Sequence, residues 1–160
     1  MTLSLREATP TDVPAILSLV HGLAVYEKEP DAVDVDENDY RQYLFPDDGE
    51  PTAHCFVAEK DGEVIGIAIW YVTFSTWTGP GIWLEDLFVL EEHRGGGAGK
   101  ALLTRLAQEV VRRGWKRLEW SVLRWNAPSI AFYEHIGATA QSEWMTYRLH
   151  GEALGTLAEG

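Results

Sequence analysis

Cysteine is nearly missing from this chain, with Cys55 the single one among 160 residues. One thiol excludes an internal disulfide and fits a reducing compartment. Set in the apolar, strand-like run AHCFVAE, it reads as a buried inert thiol rather than a nucleophile. Basic charge is scarce as well: 13 lysines and arginines face 25 aspartates and glutamates, for a net charge of -12. That balance argues against nucleic-acid binding, which depends on lysine and arginine neutralising phosphates. It either draws in cationic molecules or keeps a solvated surface soluble. Long hydrophobic runs are absent; the longest, IGIAIWYVTF at Ile65 to Phe74, is about half the length needed to cross a bilayer. The opening MTLSLREATPTD lacks the basic and then apolar segment of a secretory signal, so the expectation is a cytoplasmic protein without membrane partners. Histidines 21, 54, 93, 135 and 150 are scattered without ligand spacing, and no metal is expected. No Gly-x-Ser-x-Gly elbow of a serine hydrolase occurs.

What the chain does have is an ordered alternation of elements, sized for a single domain over residues 1–160. LSLRE at Leu3 to Glu7 alternates as a half-buried strand does. Thr9 and Asp12 stand at capping-box spacing, and Ile16, Leu17, Val20, Leu23 and Ala24 recur at helical intervals until Pro30 restricts the residue before it. Asp31 to Asp48 is acidic and irregular, read as a mobile flap with a short helix around Glu37 to Leu44. Asp61-Gly62 between two β-rich runs predicts a hairpin. IWLEDLFVL at Ile82 to Leu90 predicts a third strand of that meander. Beyond it Leu102, Leu103, Leu106, Ala107, Val110 and Val111 draw one apolar helical stripe, with Arg105, Gln108, Glu109 and Arg112 facing away. RLEWSVL at Arg117 to Leu123, a short helix ended by Gly137, and a last strand SEWMTYRL at Ser142 to Leu149 complete the order. The expectation is an α/β (α+β) domain: a mixed, mostly antiparallel central sheet of six to seven strands with helices on both faces.

The segment HRGGGAGK interrupts this order at a strand-to-helix junction. Glycine loses the most conformational freedom on folding, so four of them need a compensating job such as close approach to a ligand. A strand, a glycine turn and a helix start present backbone N–H groups at the positive end of a helix dipole, a ready-made phosphate site. A Walker loop does not fit, because Arg94 stands where its first glycine belongs and Ala101 follows Lys100 in place of a hydroxyl. A dinucleotide fingerprint fails too, with Lys100 in the place of the third glycine. Arg94-Gly95-Gly96-Gly97-Ala98-Gly99 instead fits the Arg-x-x-Gly-x-Gly pattern. With that loop, LAVYE, LEDLFV and WNAPSIAFYEHIGA, the chain resembles the GNAT acetyltransferase superfamily, in particular its diamine, spermidine and thialysine acetyltransferase branch.

The resemblance implies the GNAT fold and acetyl-CoA as co-substrate, its pyrophosphate on Arg94, Gly95, Gly96, Gly97, Ala98 and Gly99, with Lys100 adding charge. It implies that the backbone of Leu87, Phe88 and Val89 bonds the pantetheine arm, and that Asn126 and Ser129 contact the coenzyme; both also read as helix caps. Glu85 becomes the candidate base, acting through water, and Tyr133 the candidate acid beside the coenzyme sulfur. In bare strand logic Glu85 and Asp86 point to opposite faces unless a bulge turns both. Tyr26, Glu27, Trp77 and Asp86 form, with Glu85, the implied slot for a small cationic amine. Ser75 and Thr76 depart from the acid and proline of polyamine-specific relatives, which turns the expectation toward thialysine or short diamines. The implied activity is direct transfer of acetyl to a primary amine in a ternary complex, by a homodimer. The readings beside it are acetylation of another amine (a protein N-terminus, an aminoglycoside or a xenobiotic) and a non-catalytic acyl-CoA-binding module.

Overall fold

Asp61 and Gly62 both adopt positive φ, 54° and 83°, as a two-residue hairpin turn matched to strand twist requires. They join β2 (His54–Lys60) to β3 (Glu63–Ser75). The computed structural model describes residues 2–160, and the chain divides into two compact units, Met1–Ser121 and Val122–Gly160. In the first, β1 (Leu3–Glu7), β2, β3, β4 (Gly79–Val89) and β5 (Leu118–Trp120) form one sheet in sequence order. The first four strands are antiparallel, and β5 runs parallel to β4. The mixed, mostly antiparallel α/β sheet is therefore as expected, with five strands among the described residues in place of six to seven.

Three helices accompany this sheet: α1 (Val13–Tyr26), α2 (Glu37–Leu44) and α3 (Ala98–Arg112). Alternation along β2 sorts its side chains between two faces. Cys55 and Val57 join Ile67, Ile69 and Phe88 with Ile16, Leu19 and Val20 of α1 and Leu44 of α2 in one buried cluster. Phe56, between them in sequence, faces the other way and lies under the Arg105 guanidinium of α3, 4.5 Å from the ring centroid. Helices thus cover both faces. Close approach of backbones matters at Gly81: a Cβ there would sit 2.9 Å from the Arg117 carbonyl, the group that accepts from Ile82 N–H at 3.0 Å where β5 begins its pairing.

Several sequence expectations need correction. The Asp31 to Asp48 segment is anchored. Asp36 caps α2 by accepting from the backbone N–H groups of Asn38 and Asp39, Arg41 donates to the Pro10 carbonyl at 3.0 Å, and Tyr40 and Phe45 pack on the α1-side cluster. On α3, Val111 is 77% exposed while Glu109 is 4% exposed, the reverse of the helical-stripe reading. Glu109 accepts from Arg105, Arg112 and Arg113, and three guanidiniums make burial of that carboxylate tolerable where its sequence position alone does not.

The second unit holds α4 (Ala127–His135) and α5 (Gly151–Ala158). Asn126 caps α4, its Oδ1 accepting from Ser129 N–H at 3.4 Å, and Gly137 follows its end at φ 93°. The expected strand over Ser142–Leu149 does not form; Trp144 and Tyr147 there are 71% and 87% exposed. A strand also needs a hydrogen-bonded neighbour, which a segment's own residues do not specify.

Candidate active site

The centre of β4 breaks the ladder rule that sends neighbouring side chains to opposite faces. Trp83 pairs with Tyr71, Leu84 with Trp70 and Asp86 with Ile69, so Glu85 is an extra residue with no cross-strand partner. This is a β-bulge. Ile69 and Tyr71 share the α1 side, so Asp86 and Trp83 do too, and Glu85 returns to the face of Trp83, two residues before it. Both acids of LEDLFV therefore open toward the same side of the sheet. The same region lacks cover on its other edge: β5 pairs with β4 only over Ile82–Leu84. From Glu85 to Val89, including Leu87 and Phe88, β4 has no β5 partner, and of the backbone groups on that edge the Val89 carbonyl is taken by the Arg94 side chain.

Packing brings α1's end to this place. Gly22 presses on Phe88 so closely that a Cβ would lie 3.0 Å from the ring, which carries Tyr26 and the C-cap residue Glu27 toward β4. The fields of the acids register their proximity. Burial first, then the charges of Glu85 and Glu27, push the Asp86 carboxyl up to about 6. Burial and then Glu85 also raise Glu27 and Tyr71. Burial and then Asp86 push the Tyr40 phenol of α2 up to about 12. Three carboxylates and two tyrosines thus share one negative field, suited to an ammonium.

Glu85 itself is exposed and tethered: the Trp83 indole Nε1 donates to its Oε2 at 3.0 Å. Trp83 reads in the sequence as packing, and its only signal is its place two residues before Glu85 on a strand. Tyr40 and Tyr71 likewise carry no motif. Trp77 lies in the β3–β4 turn, 81% exposed. That turn is tied by Ser75, whose Oγ accepts from the N–H groups of Trp77 and Thr78.

Past β4, Gly95 and Gly97 take φ of 79° and 85°, conformations that L side chains rarely adopt. Gly97 is the N-cap of α3 and no side chain caps it, so the amides of the first turn, over Ala98, Gly99 and Lys100, remain for an anion. Gly96 and Lys100 are exposed and Ala98 is buried. Arg94 closes the loop: its Nε donates to the Val89 carbonyl at 3.0 Å, and its guanidinium lies over the Tyr26 and Phe88 rings at 5.1 and 5.3 Å. One side chain so links the glycine loop, β4 and the end of α1. A diphosphate fits the uncapped helix mouth and glycine backbone, and an extended amide chain fits the unpaired run of β4.

In the second unit Asn126 is buried as the α4 cap, Ser129 is its capped partner, and Tyr133 lies in mid-helix with its ring 5.8 Å from that of Phe132. Among the described residues no group of three His, Cys, Asp or Glu side chains is placed to hold a metal ion, and no helix is long and apolar enough to cross a membrane.

Comparison with known proteins gives this geometry a context. The profile of the Acetyltransferase (GNAT) family matches residues 22–138. The thialysine N-epsilon-acetyltransferase of Bos taurus is 37% identical over 166 residues, covering 96% of both chains. The L-ornithine N5-acetyltransferase of Arabidopsis thaliana is 30% identical, over 96% of this chain and 86% of its own. Among solved structures, an integron cassette protein from the mobile metagenome of V. cholerae superposes with a TM-score of 0.81 at 24% identity, covering 100% of this chain and 99% of that one; that likeness is one of fold.

Proposed function

The chain belongs to the GNAT acetyltransferase family, and from that premise we propose that it acetylates the primary amine of a small thialysine-like or short diamine acceptor, by direct transfer in a ternary complex. The observation that supports the acceptor class is the bulge that turns Glu85 and Asp86 to one face within the field of Glu27. Acetyl-CoA supplies the activated acyl group, a thioester whose carbonyl carbon the amine attacks. In this reading the amides of Ala98, Gly99 and Lys100, with Arg94, Gly95, Gly96 and Gly97, take its diphosphate, and Leu87, Phe88 and Val89 align its arm along β4.

The amine arrives protonated. With a pKa near that of lysine, only about one molecule in a thousand is nucleophilic at neutral pH, a deficit of about 4 kcal/mol. Glu85 takes one proton from the ammonium through water before the C–N bond forms, which frees the nitrogen lone pair for attack, and the second proton leaves the nitrogen for water as the tetrahedral adduct collapses. Glu27 and Asp86 hold the acceptor's second charged group, so the carboxylates that favour an ammonium do not also trap the reacting one. Tyr26 and Trp77 supply aromatic faces to the chain between. As the C–S bond breaks, Tyr133 delivers the proton that the departing thiolate takes up. Asn126 and Ser129 are assigned to the coenzyme, by resemblance alone.

Both curated relatives described above carry names of amino-acid acceptors with a terminal amine, which favours thialysine over long polyamines, in line with the Ser75–Thr76 departure. Residues 1–160 act in this reading as one acetyltransferase domain, cytoplasmic and homodimeric. An acceptor panel read by thiol release tests the assignment: thialysine and diaminopropane should turn over well above spermine, aminoglycosides and peptide N-termini. A single-turnover rapid quench should contain no acetyl-enzyme. Preference for a peptide or an aminoglycoside would overturn the acceptor class.

A further inference from the structure

We infer that Trp83 is a positioning residue for Glu85, and that its indole N–H fixes the base for the acceptor amine; the inference rests on the reading of Glu85 as that base. A bulge residue has no cross-strand partner to restrain its side chain, and Glu85 is exposed at the end of three rotatable bonds. A carboxylate so free spends little time where a proton must be taken, and placement within ångströms governs such transfers. Trp83 corrects this. It is half-buried, its backbone is locked opposite Tyr71, and its Nε1 donates to Glu85 Oε2 at 3.0 Å. One N–H engages one oxygen, which leaves Oε1 to accept from the water or ammonium. An indole is also a donor that cannot itself titrate and cannot accept, so it never competes for the proton being moved. Because the bulge falls between Trp83 and Asp86, the indole reaches Glu85 alone in this way: Glu85 is oriented for proton transfer while Asp86 keeps the deeper, charge-binding place.

The test is a double-mutant cycle on the full chain with acetyl-CoA and thialysine, using Trp83→Phe, Glu85→Gln and the double variant. Trp83→Phe keeps an aromatic ring and removes the N–H. It should lower kcat about tenfold, the scale of a hydrogen bond to a charged group, with KM for acetyl-CoA unchanged. In the Glu85→Gln background the same substitution should change kcat less than about twofold, because the group it orients is gone. An equal loss in both backgrounds, or no loss in either, overturns the positioning role. Full turnover by Glu85→Gln with Trp83 intact overturns the base assignment itself, and is read independently of any Trp83 variant. As a measurement that does not depend on Trp83→Phe folding, the Trp83 indole N–H resonance in the 15N-labelled protein should move upfield in Glu85→Ala. An unmoved resonance would contradict the contact.

Discussion

Asp86 gives the site its pH dependence. Its carboxyl is pushed up to about 6 by burial and by the charges of Glu85 and Glu27. Protonation therefore removes one of the charges proposed to hold the acceptor as pH falls through that value. We expect kcat/KM for a dicationic acceptor to decline below about pH 6, and Asp86→Asn to lose that limb together with at least tenfold of kcat/KM at pH 7.5; a profile unchanged in Asp86→Asn would separate Asp86 from the acceptor. Stability moves in the opposite sense. Between the ordinary carboxylate range and about 6 the folded chain holds a proton that the unfolded chain has released, so this group costs stability as pH rises through the window. Asp86→Asn should then be more stable than the parent at pH 8, by on the order of 2 kcal/mol, and the gap should close near pH 4 in parallel thermal melts. Residue identities at this site are legible from motifs, since LEDLFV and the glycine loop announce themselves. Trp83, Tyr40 and Tyr71 are not, because their proximity to the acids comes from a bulge and from a packed helix, neither of which leaves a pattern in the chain.

The strand–loop–helix unit from β4 to α3 is the element to which we assign coenzyme binding. Gly97 at φ 85° has open space around it, so Gly97→Ala meets no clash and suffers only from its backbone conformation. About 1 kcal/mol of stability should go, and KM for acetyl-CoA should rise at least tenfold as the first-turn amides lose their aim; titration calorimetry with coenzyme A reads the same loss directly. At the far end of α3, Glu109 is held at about 2, first by Arg112. Its contribution is present above the ordinary glutamate range and is lost as pH falls through about 2. Glu109→Gln should cost about 2 kcal/mol at pH 7 and flatten the acid limb of stability in urea titrations from pH 6 to pH 2.5, while leaving acetyl-CoA KM alone. Helical periodicity places α3 correctly but assigns Glu109 outward and Val111 inward. An average over an apolar stripe does not see three arginines converging on one carboxylate. In the hairpin the reading succeeds because Asp61-Gly62 is itself the constraint. Over Ser142–Leu149 it fails because strand formation depends on a neighbour, which the segment's own residues do not specify.

For the whole molecule, the two features that matter most have opposite sign. The chain carries an excess of acids over bases together with a cluster of three carboxylates, whereas the glycine loop, in the proposed reading, presents a local positive helix end to a polyanionic coenzyme. Attraction of a cationic acceptor by the overall field is long-range and salt-screened, so KM for the amine should rise with ionic strength between 20 and 500 mM, while KM for the polyanionic acetyl-CoA, which the same field repels, should not rise in parallel. The class of the sheet and the order of elements follow from alternation and turn chemistry, whereas the final strand count does not. Initial-rate thiol release from acetyl-CoA with thialysine, measured for the parent chain and Glu85→Gln at pH 7.5, is the most direct test of the proposed transfer. Amine-dependent release should saturate in both substrates and fall at least a hundredfold in Glu85→Gln. Tight coenzyme binding with no amine-dependent release across the acceptor panel would contradict it and mark the chain as a binding module.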